Sequence, residues 1–463
     1  MKKPQHFLIT SLAAQGHINP TLQLAKSLAR NGAQVTFATT VYGLSCINST
    51  LPRHNGLSYA SFSDGNDDKE SIKKRDRGRV FHDLKQFGSQ NVRELIKTLS
   101  AEGRPVTCVI YTILLPWVAE VAFEMQIPSV FLVIQCATVF AIYHRYFNSQ
   151  DGVYDGVREI DPSISVQFPD LPLFSSRDLP TIIVPSDPYF AYSAPVIHEH
   201  IKVLEKDTTA FVLVNTFDEL EQASVRAITN MNVIPIGPLV PSAFSDGTDL
   251  TDKSVGGDLF DSSSRDYLQW LDSKPECSVV YVSFGSLATL KKEQKIEIFH
   301  GLEEAGWDYL MVIRKSDNED QEVKEMMENG LNGKGMIVPW CSQMEVLCHK
   351  SIGCFITHCG WNSTLESLIA GVPIVGCAQF SDQMTNIKLI EEVWGNGVRA
   401  KANEAGVVER EEIKRCLGIV MGCGEKEEKI RRNAAKWRGL AVDAVKENGS
   451  SHNNLKLFLE SLG

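Results

Sequence analysis

The sequence lacks any excess of positive charge. Its 463 residues carry 46 Lys and Arg against 57 Asp and Glu, a formal net charge of -11. That balance excludes a nucleic-acid binder, whose footprint is basic, and electrostatic docking on anionic membranes. It also lacks long apolar runs. The first, "HFLITSLA", is only strand length and breaks at Gln15-Gly16-His17. It is too short for a membrane span, which needs roughly 18 apolar residues, and on the same ground no signal peptide is expected. There are 11 cysteines, an odd number, and no Cys-x-x-Cys pair. Such scatter inside apolar runs suits reduced, buried thiols and a cytosolic chain, not a disulfide framework. Cys341, Cys348, Cys354 and Cys359 lie near His349 and His358, but their spacings fit no zinc pattern, so no metal is expected. Nor does either half open on Gly-x-Gly-x-x-Gly, which argues against a two-domain dinucleotide oxidoreductase.

What is present is ordinary globular composition, 43% hydrophobic and 22% charged, in a chain long enough for two or three domains. "HFLITSLA" reads as a buried strand. "AQGHINP" follows, with Asn19 as N-cap and Pro20 as first helical residue of "TLQLAKSLARNG", and "AQVTFATT" is the next strand. This β-α-β pattern implies a parallel sheet covered by helices. It recurs around 105–135 and at "AFVLVNTFDELEQ". Residues 241–265, rich in Ser, Asp and Gly, read as a linker. A second α/β series follows, then a helix near 425–446 and a last short helix. The fold expected is α/β, with two Rossmann-like domains whose parallel sheets face a cleft. The divisions are 1–240 for the first domain, 241–265 for the linker, 266–446 for the second domain, and 447–463 for a C-terminal helix packing back on the first. Ligands of open parallel sheets sit beyond the carboxyl ends of strands. Residues 15–20 and 358–366 both lie at such ends.

"HCGWNSTLESLIAGVP", from His358 to Pro373, follows the apolar run "GCFIT". A helix start supplies N–H groups and a positive dipole end, an anion site. Simple N-capping by Asn362 or Ser363 explains the same polar residues equally well. The flanks tip the balance. Trp340 follows an apolar run, where its ring can stack on a flat base. Glu366 can accept from ribose hydroxyls. Asp382 and Gln383 pair a carboxylate with an amide, as a sugar clamp does. A base stacker, a ribose carboxylate, a phosphate corner and a sugar clamp describe a nucleotide sugar.

The 44 residues from Trp340 to Gln383 closely resemble the signature box of plant family-1 UDP-glycosyltransferases. The likeness extends over nearly the whole chain, through "AAQGHINP", "VLVNTF", "IGPL" and "YVSFGS", and is strongest to the branch with crocetin and anthocyanin 5-O-glucosyltransferases. It implies a GT-B fold, a UDP-sugar donor and inversion at the anomeric carbon. Gln383 as the final residue of the box implies glucose. By the same likeness Ser286 touches the donor, Trp340 the uracil and His358 the diphosphate, while Trp361, Asp382 and Gln383 hold the hexose. Cys341, Gln343, Gly360, Asn362, Ser363 and Glu366 complete the expected donor set. No Asp-x-Asp occurs, against a metal-gripped diphosphate.

His17 lies in the loop expected at the cleft mouth. Neutral imidazole is a suitable general base for an acceptor hydroxyl; a mere loop cap is the other reading. The family pairs this His with an Asp, but Thr112 stands at that position. Threonine can accept a bond from the ring yet cannot stabilise an imidazolium as a carboxylate does. Acceptors that ionise easily are therefore expected, phenols or carboxylic acids. Leu12, Ile113, Gln135, Cys136, Tyr143 and Phe380 are the expected acceptor neighbours. The charged run 67–79 reads as a solvated loop, and "HRYFNSQDGVYDG" and "SDPYFAYS" as aromatic loops that line an acceptor pocket or merely pack. The sum is a cytosolic, monomeric, inverting UDP-glucose-dependent O-glucosyltransferase acting on a phenolic hydroxyl of a small plant metabolite, with UDP-glucose as co-substrate and no resident cofactor. Glucose-ester formation on a carboxylic acid, or non-catalytic UDP-sugar binding, are the alternatives.

Overall fold

The computed structural model describes residues 5–47, 54–68, 79–148, 165–167, 171–183, 192–207, 210–252, 266–314 and 334–462. The charged run 69–78, the stretches 149–156 and 186–191 of the aromatic loops, and 253–265 lie outside the described residues. The chain forms two compact units. The first holds the described residues up to 241 together with 443–462, and the second those from 242 to 442.

The first unit is built on a sheet of β1 (His6–Thr10), β2 (Gln34–Thr40), β3 (Leu57–Phe62), β4 (Cys108–Thr112), β5 (Ser129–Val133), β8 (Phe211–Val214) and β9 (Asn232–Pro235). A small antiparallel pair, β6 (Ser165–Gln167) with β7 (Leu173–Ser175), stands apart. The large sheet runs β3-β2-β1-β4-β5-β8-β9, and every ladder in it is parallel. All five residues of β1 and of β4 are buried. That is why the sequence shows continuous apolar runs there and no alternation: both faces are covered by helices. A 22-residue helix, Val80–Ala101, which the sequence reading did not identify, supplies part of the cover. The final helix, Ser450–Ser461, belongs to this unit. Its Phe458 packs on Phe7 and Phe211, with ring centroids 6.4 and 5.5 Å away. Ser451 Oγ donates to Gly237 O at 2.5 Å and Asn454 Nδ2 to Pro235 O at 3.0 Å. Burial of one such aromatic is worth roughly 1.5–3 kcal/mol.

The second unit carries β10 (Val279–Ser283), β11 (Asp308–Val312), β12 (Gly335–Val338), β13 (Ile352–Thr357), β14 (Ile374–Gly376) and β15 (Gly397–Arg399) in the order β12-β11-β10-β13-β14-β15, all parallel. Alternate residues of one strand feed two cores. Val280 and Val282 join one side with Met311 and Ile356, while Val279 and Tyr281 join the other with Leu310 and Phe355. Residues 242–252, read from composition as linker, are ordered into this unit: Ser242 and Asp252 are buried, and Ser242 Oγ donates to Asp249 O at 3.1 Å. The polar side chains that suggested looseness hydrogen-bond the turn to itself.

Strand order reverses between β1 and β4 in the first sheet, and between β10 and β13 in the second. Such switch points open a crevice at the carboxyl ends of the two strands. In both units those ends carry the residues singled out from sequence.

Candidate functional site

In the second unit, β13 ends at Thr357 and hands over to His358. The helix that follows, Trp361–Ala370, takes Gly360 as its N-cap, with no side-chain cap. Neither Asn362 nor Ser363 caps it, so the simple capping explanation of these residues fails. Cys359 before it has φ +62° and Ser381, in the loop after β14, has φ +61°. Two non-glycine residues held left-handed at neighbouring strand ends are the kind of local strain that collects at functional sites.

His358 is held between two glycines. A Cβ on Gly285 (φ +71°) would lie 2.9 Å from its Nε2, and one on Gly360 would lie 2.6 Å from the same atom. Only glycine lets the backbone approach the ring this closely. Thr357 Oγ1 lies 3.3 Å from Nδ1. Burial, with the Arg314 charge second, pushes the imidazole down to about 4. It is therefore neutral at pH 7 and can donate from one nitrogen beside a helix start, a geometry that receives anions.

Gln343 ties the next residues together. Its Nε2 donates to Glu366 Oε2 at 2.6 Å and to Ser363 Oγ at 2.9 Å, and its Oε1 accepts from Tyr281 Oη at 3.2 Å. The Tyr281 hydroxyl also meets Cys341 Sγ at 3.3 Å, so the buried Cys341 thiol is a neighbour of this network. Trp340 and Ser286, just beyond strands, and Asn362, in the first turn of the helix, are half-buried. The Trp361 ring, in contrast, is buried and packs on Trp394 at 6.0 Å.

Asp382 and Gln383 open the helix Gln383–Lys388. Asn386 Nδ2 holds Asp382 Oδ2 at 2.7 Å. Gln383 Oε1 accepts from the N–H groups of Gln379 (2.8 Å) and Phe380 (3.1 Å), which fixes the flip of the amide and leaves its NH2 group as the donor. Phe380, an expected acceptor neighbour, lies in the second unit, as its position in the chain implied, and packs on that unit's core. Among the described residues no group of three or more His, Cys, Asp or Glu side chains gathers as a metal site. All eleven cysteines are free.

In the first unit the helix after β1 runs Gln15–Arg30, with Ala14 as N-cap. The sequence placed the start at Asn19 and Pro20; instead Pro20 lies inside the helix. His17 thus stands in the first helical turn, its N–H donating to Ala14 O at 2.8 Å. Burial pushes its imidazole down to about 4. Its Nδ1 is buried with no hydrogen-bond partner among the described residues, and so is Thr112 Oγ1. The bond from the imidazole to Thr112 is not formed. Thr112, completely buried, ends β4, the strand beside β1. Leu12 and Gln135 are half-buried, Ile113 is nearly buried, and Cys136 and Tyr143 are completely buried. Cys136 Sγ faces the Val139 N–H at 3.4 Å, a helix-start contact.

Two residues that sequence reasoning missed organise this edge. His200 Nε2 accepts the Leu114 N–H at 2.9 Å, pinning the loop after β4 where Leu114 holds φ +74°. Its ring stacks on Phe131 at 4.6 Å. Glu221, buried, accepts from Ala137 N (2.9 Å), Thr138 N (3.0 Å) and Thr138 Oγ1 (2.7 Å). It caps the helix Ala137–Asn148 from another helix. No local signal reveals either, because the hydrogen bonds just named span more than 80 residues of sequence.

Comparison with known proteins settles the family. The family described as UDP-glucoronosyl and UDP-glucosyl transferase matches residues 215–422. Over 98% of both chains the sequence is 50% identical to UDP-glycosyltransferase 75C1 of Solanum lycopersicum. The chain belongs to the plant family-1 UDP-glycosyltransferases. It is also 49% identical to crocetin glucosyltransferase of Gardenia jasminoides, over 100% of this chain and 98% of that protein. Phloretin 4'-O-glucosyltransferase of Malus domestica is 48% identical over 99% and 98%. Among solved structures, Os79 from O. sativa in complex with UDP superposes with a TM-score of 0.85 at 32% identity, covering 99% of this chain and all of that one. The fold is GT-B, and the chain is a UDP-sugar glycosyltransferase. No helix among the described residues is long and apolar enough to cross a membrane.

Proposed function

We propose that this glycosyltransferase moves glucose from UDP-glucose to a phenolic hydroxyl of a small plant metabolite, with inversion, giving a β-O-glucoside. The observation that carries the reading is the fixed amide of Gln383 beside Asp382. One NH2 donor and one carboxylate, side by side at a strand end, suit adjacent hydroxyls of a hexose, and in the family likeness a Gln here accompanies glucose. Trp340 stacks on the uracil, Glu366 receives the ribose hydroxyls, and His358 with the start of the Trp361–Ala370 helix holds the diphosphate. The leaving group is anionic, so donors fixed in place before reaction lower the barrier without reorganising.

His17 takes the acceptor proton. With Nδ1 buried, Nε2 is the nitrogen for that transfer. The acceptor oxygen then bonds to the anomeric carbon while the carbon–oxygen bond to UDP breaks, and UDP leaves with the electron pair. The sugar passes through an oxocarbenium-like state, as in inverting glycosidases. Among the described residues no carboxylate bonds the His17 ring, so an acidic hydroxyl, such as a phenol of pKa about 10, is the fitting nucleophile.

That missing carboxylate also favours a second reading: a carboxylic acid, already ionised, needs no base and would give a glucose ester. UDP release with UDP-glucose against flavonoids, stilbenes and aromatic acids tests both. A phenol glucoside survives mild alkali, whereas a glucose ester is cleaved by it. No UDP release with any acceptor, alongside tight UDP binding, would mean a non-catalytic binder.

A further inference from the structure

Arg314 lies just beyond the end of β11, and β11, β10 and β13 are consecutive in the second sheet. Three neighbouring carboxyl ends thus carry Arg314, the 285–289 loop and His358. The guanidinium grips the loop from one side. Its Nη1 donates to Ser286 O, its Nη2 to Ala288 O at 2.6 Å and to Thr289 Oγ1 at 3.3 Å. A small cavity is lined by residues of both loop and strand, among them Gly285, Ala288, Met311 and Arg314.

The direction of these bonds matters. A trans peptide is planar, with its N–H opposite its C=O. When the carbonyls of Ser286 and Ala288 face Arg314, the N–H groups of Leu287 and Thr289 face away from it. Both residues are exposed. Gly285, at the other end of the loop, lies against the His358 ring. We propose that Arg314 is a positioning residue for the donor diphosphate: it clamps two loop carbonyls so that the N–H groups of the same two peptides, those of Leu287 and Thr289, are presented as phosphate donors, complementing His358 and the Trp361–Ala370 helix start. Its charge is felt at the site as well, since it adds to the lowering of the His358 imidazole. A guanidinium suits this task because its planar fork meets two carbonyls at once, which an ammonium cannot do in fixed geometry. The inference rests on reading this corner as a UDP-sugar site.

The experiment is calorimetric binding of UDP and of uridine to the full chain and to R314M and R314K. R314M is expected to weaken UDP about tenfold while uridine stays within about twofold, because only phosphate donors are disturbed. R314K keeps the charge and loses the fork; it is expected to weaken UDP nearly as much. Parental UDP affinity in R314M, equal loss for UDP and uridine, or parental affinity in R314K would each overturn the positioning role. Should R314M fail to fold, amide exchange in R314K decides: faster exchange at Leu287 and Thr289 supports the clamp and unchanged exchange refutes it. These readouts need neither acceptor nor sugar. If UDP-glucose is not turned over but the binding pattern holds, the glucosyltransferase reading fails and this inference stands.

Discussion

Gln343 donates to Glu366 at 2.6 Å, the first at the start of the helix after β12 and the second within the helix after β13. The same amide nitrogen reaches Ser363, and its oxygen is taken by Tyr281. Gln343 is therefore a hub that fixes two side chains assigned to the donor. Gln343→Leu removes both donated bonds and leaves the buried Glu366 carboxylate without them. Losing a bond to such a group costs about 1–3 kcal/mol. The expected result is a UDP-glucose KM raised about tenfold, with the acceptor KM unchanged. Initial rates with each substrate varied in turn check this; an acceptor KM that rises equally would refute the donor-side assignment.

Both imidazoles assigned to chemistry, His17 and His358, are pushed down to about 4 by burial. The unfolded value is about 6.5. Between these two values the unfolded chain binds protons that the folded one refuses. Stability therefore falls as pH drops from about 6.5 toward about 4, and stops falling from this cause below that. His17→Gln and His358→Gln should each flatten the slope in urea titrations across that window. On a phenol acceptor, the acid limb of kcat/KM should lie near 4. A limb near 6.5 would show that His17 titrates as a solvent-exposed imidazole does.

How legible was this molecule in its sequence? The residues proposed for the donor were legible as a group because β13, the helix after it and the next strand loop are consecutive, so Trp340 to Gln383 span only 44 residues. The parallel sheets were legible because β1, β4, β10 and β13 are mostly apolar and buried at every residue. The start of the first helix was not. Asn19-Pro20 has the chemistry of an N-cap and first helical residue, yet the extended backbone at Ala14 starts the helix five residues earlier. Arg314, His200 and Glu221 were not legible at all. Each acts on backbone atoms far away in sequence, and a backbone carbonyl or N–H carries no residue identity for a motif to record.

Thr112 can be tested from both directions. Its hydroxyl is buried without a partner, so Thr112→Val exchanges an unused polar group for a methyl. Stability should hold or rise by about 0.5 kcal/mol, and kcat on a phenol should stay within about twofold. Thr112→Asp places a carboxylate beside the strand end that His17 follows. An opposite charge favours the imidazolium, so the acid limb should move up from about 4. Turnover of poorly acidic alcohols should rise, while a carboxylic acceptor gains little. A large rate loss in Thr112→Val would show that the hydroxyl orients His17 during turnover even though the bond is not made here.

Glu221 offers the sharpest test of how the acceptor side is held. Its carboxylate takes three bonds from Ala137 and Thr138 at the start of the Ala137–Asn148 helix, and Thr138 Oγ1 also meets Ser224 Oγ at 2.7 Å. Burial raises the carboxyl pKa and these bonds oppose the rise. A charge there is also favoured by the positive end of the helix it caps. Glu221→Leu strands all three donors and should cost about 3 kcal/mol or more, read as a lower urea midpoint at unchanged slope. Glu221→Gln keeps the shape and one accepting oxygen, but its NH2 then confronts an N–H. Its expected signature is a smaller stability loss with a raised acceptor KM and an unchanged UDP-glucose KM, because Gln135 and Cys136 immediately precede the displaced helix. If Glu221→Gln lowers stability while both KM values stay at the parental level, the helix start is structural and the acceptor is bound elsewhere.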